Sequence, residues 1–118
     1  MNAPSQNVID PQAIDGLRAL NPDDPQFLRE LIDLFVQDVP ERIAEIEQAL
    51  TTRDALLLTR AAHTIKGSCS NFGATNLHRI SHDMEMQGKA AAFTEAAASL
   101  VTLRAEFALV ADVLKQFA

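Results

Sequence analysis

Apolar side chains recur every three or four residues along two long stretches of the chain, and this spacing predicts two long helices. In residues 26–50 the apolar stripe consists of Leu28, Ile32, Phe35, Val39, Ile43, Ile46 and Leu50. In residues 91–117 the unbroken seam consists of Phe93, Ala96, Leu100, Leu103, Phe107, Val110, Leu114 and Phe117. Alternating spacings of three and four are typical of left-handed helix bundles, while Pro40 should kink the first of these helices.

Shorter segments between and before these stretches also have helical patterns, and they cover residues 10–20, 54–71 and 74–87. Asp10 and the proline after it form a favourable first turn for the earliest helix. Gly73 is predicted to end the helix over residues 54–71 in a left-handed conformation. Gly88 is predicted to close the helix that follows.

The connections between the long helices are short, so consecutive helices must run antiparallel. We therefore expect an all-α fold, an up-down-up-down four-helix bundle with the short first helix lying across one end. Residues 1–9 are polar and aperiodic, and we expect them to form a flexible leader. Residues 10–118 are expected to form a single domain.

The composition agrees with this architecture and argues against one class of partner. The chain has 118 residues, of which 47% are hydrophobic and only 5% aromatic, which suits helices packed on helices. A net charge of -6 argues against nucleic acid as a partner, because phosphate backbones are bound by clusters of Lys and Arg. The lone Cys69 excludes an intrachain disulfide and fits a reducing compartment.

Targeting signals are not evident in the sequence. The first ten residues have neither the basic nor the apolar region of a signal peptide. No run approaches the roughly 18 apolar residues that a membrane span requires. These features predict a cytoplasmic protein that does not bind membranes, and we expect it to be a monomer.

The polar face of the helix over residues 54–71 is centred on His63. At about 100° per residue, the opposite half of the helical wheel holds Leu58, Ala61, Ala62, Ile65, Cys69 and Phe72. The positions within about 60° of the histidine are Thr59, Arg60, Lys66, Gly67 and Ser70. His63 is therefore predicted to be exposed rather than part of the core.

His63, Lys66 and Gly67 together favour a chemical site on this face. A neutral imidazole is a nucleophile near neutral pH. A lysine one turn away would favour an anionic phosphoryl group on the ring by charge attraction. A glycine on the same face removes side-chain bulk and would allow another protein to approach. Taken singly, the glycine could be a weak point of the helix and the lysine a solvated surface residue, but all three on one face favour function.

A fourth member of the site is predicted by the antiparallel hairpin. If the chain turns near Gly73, the residues opposite His63 lie at about 82–86. Glu85 could then accept a hydrogen bond from one ring nitrogen and leave the other free, as the third group of a catalytic triad does. The alternative is a solvated glutamate near a helix end.

The stretch AAHTIKGSCSNFGA, residues 61–74, resembles the signature of histidine-containing phosphotransfer (HPt) domains, in which His-x-x-Lys-Gly lies in the second helix of a four-helix bundle. The segments FLRELIDLFVQDVPERIAEIEQAL and MEMQG are similar to flanking segments of that family, so the resemblance covers about residues 25–115. It implies an intermediate of a two-component phosphorelay. Its partners would be the receiver domains of hybrid histidine kinases and response regulators, and it would need no cofactor.

The resemblance also implies roles for individual residues. His63 matches the phosphoacceptor, Lys66 the phosphoryl-stabilising lysine and Gly67 the small residue that admits the partner. Glu85 falls where many members carry a Gln or Glu that orients the histidine, and Ser70 is a weaker contributor on the same face. Receiver docking is expected around Leu56, Thr59 and Arg60, beside the region of Pro40.

Other functions are also compatible with parts of the sequence. The chain is expected to be a phosphocarrier and not a kinase, because its four scattered glycines form none of the glycine-rich boxes of an ATP site. A metal-binding bundle could use His78 and His82, which are spaced i, i+4, although no Glu-x-x-His motif accompanies them. We therefore expect no metal site and interpret both histidines as surface residues. The third alternative is a purely structural adaptor.

Overall fold

The computed structural model describes residues 8–117. The helices between residues 11 and 115 are α1 (Pro11–Leu20), α2 (Phe27–Thr52), α3 (Ala55–Ser70), α4 (Thr75–Lys89) and α5 (Phe93–Lys115). No strand is formed in residues 8–117, so the all-α prediction is confirmed. Helix α2 runs through Pro40 as one helix, and Pro40 itself is exposed.

Side chains and turns of known type fix the ends of several helices. The side chain of Asp10 accepts a hydrogen bond from the backbone N–H of Gln12, and Asp54 does the same for Leu57. Gly73 has a φ of +63°, which confirms its predicted left-handed conformation. The N–H of Ala74 bonds to the carbonyl of Cys69 and that of Gly73 to Ser70, which is the Schellman pattern.

The four long helices form a bundle in which α2 and α4 each contact both α3 and α5. Helices α3 and α4 run antiparallel, because Thr59 lies against Gly88 while His63, one turn later, lies against Glu85. Helix α1 lies across one end of the bundle. The N–H of Asp10 bonds to the carbonyl of Phe72 in the α3–α4 turn, while the other end of α1 reaches the end of α5.

A single apolar core fills the bundle. Its fully buried large side chains are Ile9, Ile14, Ile32, Val39, Ile46, Leu58, Ile65, Phe72, Leu77, Met84, Leu103 and Leu114. The rings of Phe35 and Phe72 meet edge to face, with centroids 5.1 Å apart. The predicted stripe of α2 is buried from Leu28 to Ile46. At the end of the helix Ala49 is buried in place of the predicted Leu50, which is only partly buried. One face of α3, from Leu58 to Cys69, therefore packs into this core, and the opposite face is directed outward.

The predicted flexible leader is wrong for its last two residues. Val8 is 7% exposed and Ile9 is 1% exposed, and both pack into the core. Two apolar residues are too few to show a period, which is why the pattern did not reveal them. Residues 1–7 of the predicted leader lie outside the described residues.

The boundary between α4 and α5 also differs from the prediction. Helix α4 continues through Gly88 to Lys89, so the glycine does not close it. Gly88 is instead buried against Thr59 of α3. Ala91 has a φ of +52°, which no α-helical residue can adopt, and α5 therefore begins only at Phe93.

Candidate functional site

Helix α3 turns His63 toward solvent. The residues that the sequence places on the opposite half of the helix are all buried: Leu58, Ala61, Ala62, Ile65, Cys69 and, just beyond the helix, Phe72. The side chain of His63 is 65% exposed. The predicted orientation of this face is therefore confirmed, because the core fixes the rotation of α3.

Glu85 of α4 contacts the ring of His63 directly. Its Oε2 lies 3.1 Å from Nδ1 of His63, within hydrogen-bond distance. The glutamate side chain is only 7% exposed, so it is a buried group and not the solvated glutamate of the alternative. The contact predicted from the antiparallel hairpin is present.

Two lysines also meet this carboxylate. Nζ of Lys66 lies 2.6 Å from Oε1 of Glu85, and the two side chains form a close ion pair. Nζ of Lys89, one turn later on α4, lies 3.6 Å from Oε2. The Lys66 ammonium and, to a smaller extent, the hydrogen bond with His63 lower the pKa of Glu85 from 4.5 to about 2, against the opposing effect of burial. Glu85 is therefore ionised at neutral pH.

An ionised carboxylate fixes which nitrogen of the imidazole carries the proton. A carboxylate can only accept hydrogen bonds, so Nδ1 of His63 must donate the proton in this contact. In the neutral ring the lone pair then lies on Nε2, the other nitrogen. The exposed ring can thus present Nε2 as a nucleophile, while the hydrogen bond from Nδ1 to the buried Glu85 fixes the orientation of the ring.

Gly67 leaves open surface beside the histidine. Apart from its chain neighbours and the backbone of its own helix, a Cβ placed on Gly67 would meet no atom of residues 8–117 within 4 Å. Internal packing therefore does not require a glycine at this position, even though glycine weakens a helix interior. Ser70, further along the same face, is exposed at the last residue of α3.

A shallow groove of about 450 Å³ runs beside His63 between α2 and α3. It is lined by Arg42, Glu45, Leu57, Thr59, Arg60, Ala61, His63, Thr64 and Glu85. Arg42 contacts Asp38, Glu41 and Glu45 at 3.6, 3.4 and 2.9 Å. The part of α2 beside His63 is thus the turn after Pro40 rather than Pro40 itself.

The predicted docking residues have different environments, and two of them, Thr59 and Arg60, line this groove. Leu56 is 61% exposed, and Arg60 is also exposed. Thr59 is half-buried, and its hydroxyl donates a hydrogen bond to the carbonyl of Ala55 at 2.7 Å. An exposed leucine beside polar residues is the kind of surface that a protein partner can cover.

His78 is half-buried and His82 is exposed on α4. Within residues 8–117, no group of three or more His, Cys, Asp or Glu side chains is arranged to hold a metal ion. Among these residues there is likewise no helix whose length and apolar character would allow it to span a membrane.

Three residues of the site escaped the sequence analysis. Lys89 was detectable as a cation four residues after Glu85, a spacing that brings side chains together on a helix. Arg42 joins the groove through the register between α2 and α3, for which the sequence has no direct signal. Gly88 was interpreted as a helix end, although it packs against the backbone of Thr59.

Comparison with known proteins shows the family of the chain. Residues 30–115 match the Hpt domain family. The structure is similar to histidine-containing phosphotransfer protein B (HptB) of Pseudomonas aeruginosa PAO1, with 30% identity, a TM-score of 0.84 and 92% of each chain covered. No curated protein sequence gave a significant match to the chain.

A second solved structure supports the fold. It is a rice protein described as a candidate histidine-containing phosphotransfer protein, 22% identical, with a TM-score of 0.80. The match covers 96% of this chain and 85% of the rice chain. Since the family match extends over most of the bundle and includes the exposed histidine, the chain belongs to the Hpt domain family, the histidine phosphotransfer proteins of two-component phosphorelays.

Proposed function

We propose that this protein carries a phosphoryl group on Nε2 of His63 between the receiver-domain aspartates of a hybrid histidine kinase and a response regulator. The observation that carries the proposal is the hydrogen bond between Nδ1 of the exposed His63 and the buried Glu85. It leaves Nε2 as the nucleophilic nitrogen, on a ring that a partner can reach. Membership of the Hpt family supports the same chemistry.

The transfer step conserves both charge and protons. The lone pair of Nε2 attacks the phosphorus of the aspartyl phosphate, so that an N–P bond forms while the P–O bond to the aspartate breaks. The aspartate leaves as a carboxylate. Nδ1 keeps its proton, and the ring becomes a positively charged phosphoimidazolium beside the anionic Glu85. Transfer to the next aspartate is the reverse of this step.

Lys66 is proposed to stabilise the phosphoryl group once it is bound. It lies one turn from His63 on the same face, and in the unmodified protein its ammonium is held by Glu85 at 2.6 Å. A phosphoryl group on Nε2 adds about two negative charges close to this ammonium. The lysine can then interact with the phosphoryl oxygens in a charge-assisted contact.

The receiver is proposed to dock on the surface around His63 formed by Leu56, Thr59, Arg60 and Gly67. Gly67 projects no side chain, so the partner's active site can approach the ring. Leu56 offers apolar contact area and Arg60 a charge at the edge of the groove. Such a contact is expected to be small and transient, because a relay must release each partner. Ser70, at the end of the same face, is proposed as a minor contributor.

The protein is proposed to act as a phosphocarrier without autokinase activity. Incubation with ATP alone should therefore leave it unlabelled, whereas incubation with receiver domains phosphorylated on aspartate should label it. The His63→Gln variant should keep its helical circular dichroism and lose the label, and the matched His78→Gln/His82→Gln variant should keep the label. Undiminished labelling of His63→Gln would contradict the assignment.

A further inference from the structure

Gly88 of α4 lies in close contact with Thr59 of α3. We propose that Gly88 is a positioning residue, whose missing side chain lets the two helices approach closely enough for Glu85 to hold His63. The inference rests on the proposed function of His63 and concerns how the fold prepares that histidine for transfer.

The contact of Gly88 is with the backbone of the neighbouring helix. A Cβ on Gly88 would lie 2.5 Å from Oγ1, 2.9 Å from N and 3.1 Å from Cα of Thr59, whereas ordinary contacts lie at 3.4–4 Å. The hydroxyl is engaged with the carbonyl of Ala55. The two backbone atoms belong to a regular helix and cannot rotate away. A methyl group here therefore requires the helices to separate.

The local conformation does not explain the glycine. Gly73 is the glycine with a positive φ in residues 8–117, and Gly88 lies within the regular helix α4. Glycine is less favourable than alanine in a helix interior, so its presence needs another reason. Gly16 and Gly67 also lie in helices, but a Cβ on either would meet nothing within 4 Å. Close approach is specific to Gly88 among these helical glycines.

The close approach lies one helical turn from the histidine contact. His63 follows Thr59 by one turn on α3, and Glu85 precedes Gly88 by about one turn on α4. Because the helices are antiparallel, the two contacts are neighbours along one interface. The His63–Glu85 distance is 3.1 Å, near the upper limit of about 3.2 Å for a good hydrogen bond. A separation of a few tenths of an ångström at Gly88 is enough to weaken it.

The test uses the tautomer of His63, which a general loss of stability would not change. In ¹⁵N-labelled protein at pH 8.5, the neutral ring of wild-type His63 should carry its proton mainly on Nδ1, the nitrogen that faces Glu85. Gly88→Ala should move a large part of that proton to Nε2 and slow transfer from a phosphorylated receiver by about tenfold. The matched Gly16→Ala variant adds the same methyl to an exposed helix and should change neither quantity.

Three results decide the matter if Gly88→Ala folds. A shifted tautomer with slower transfer supports the proposal, and an unchanged tautomer overturns it. Restoration of the tautomer by Thr59→Ala in the Gly88→Ala background also overturns it, because the obstacle would then be the threonine hydroxyl and not the helix backbone. Absence of phosphotransfer to the wild type would instead refute the proposed function, while the tautomer would still report on Gly88.

A second variant keeps the proposal testable if Gly88→Ala does not fold. Glu85→Asp leaves the helix contact intact but withdraws the carboxylate by one methylene. If the position of the carboxylate matters at this scale, His63 in Glu85→Asp should lose its preference for the Nδ1 proton. Retention of that preference would show that the spacing of the helices is not critical, and the proposal would fall.

Discussion

Ionised Glu85 is predicted to stabilise the folded protein, and this stabilisation should be lost at acidic pH. Its carboxylate is buried between His63, Lys66 and Lys89, and its pKa is lowered from 4.5 to about 2, chiefly by Lys66. A folded pKa below the unfolded value means that the stabilisation is complete above pH 4.5. It is lost as the pH falls from about 4.5 toward 2, where the folded protein also takes up the proton.

The size of the effect follows from this shift and from exposure. At about 1.4 kcal/mol for each pKa unit, the shift corresponds to about 3 kcal/mol. The side chain of His63 is more than half exposed, so solvent screens the part of the shift that comes from His63, and about 2 kcal/mol remains. Glu85→Gln resembles the protonated acid in shape. At pH 6 the free energy of unfolding of Glu85→Gln should therefore be about 2 kcal/mol lower than that of the wild type.

Urea unfolding followed by circular dichroism between pH 6 and pH 2 measures this difference. The gap between wild type and Glu85→Gln should narrow as the pH falls below 4.5 and be mostly gone at pH 2. Glu47→Gln is the matched control, since Glu47 pairs with Arg104 at 2.8 Å on an exposed surface, where a pair contributes little. A gap for Glu85→Gln that stays constant from pH 6 to pH 2 would refute the reasoning.

Three further predictions concern the neighbours of His63. Lys66→Ala should shorten the lifetime of the phosphorylated protein severalfold, because the ammonium one turn away no longer balances the phosphoryl charge; an unchanged decay of acid-labile phosphate would remove Lys66 from the site. Gly67→Leu should fold, since its Cβ would have open space, but should slow transfer from a receiver at least tenfold by obstructing approach. Gly67→Ala should raise the free energy of unfolding by about 0.5–1 kcal/mol, and a loss of stability in either variant would show that the glycine is needed for packing.

The sequence predicted those features that depend on helical periodicity. The inward face of α3 and the exposure of His63 follow from a period of 3.6 residues, which needs no knowledge of neighbouring helices. The Glu85 contact was predictable because a short turn at Gly73 fixes which residues of an antiparallel hairpin lie opposite each other. These inferences use local geometry alone.

The features that the sequence did not reveal depend on how helices meet. Arg42 reaches the groove because of the register between α2 and α3, and Gly88 lies in a helix because tertiary packing overrides its local preference to end one. Val8 and Ile9 pack into the core before any periodic pattern begins. In each case the deciding contact joins residues that are distant in sequence.

The position of the phosphoryl group on the intact protein tests the central claim most directly. After incubation with a receiver domain phosphorylated on aspartate, mass spectrometry at alkaline pH would locate the modified residue, and phosphorus–proton correlation by NMR would identify the nitrogen. The structure predicts a single phosphoryl group on Nε2 of His63, opposite the nitrogen held by Glu85. A phosphoryl group on His78 or His82, or on Nδ1 of His63, would contradict it.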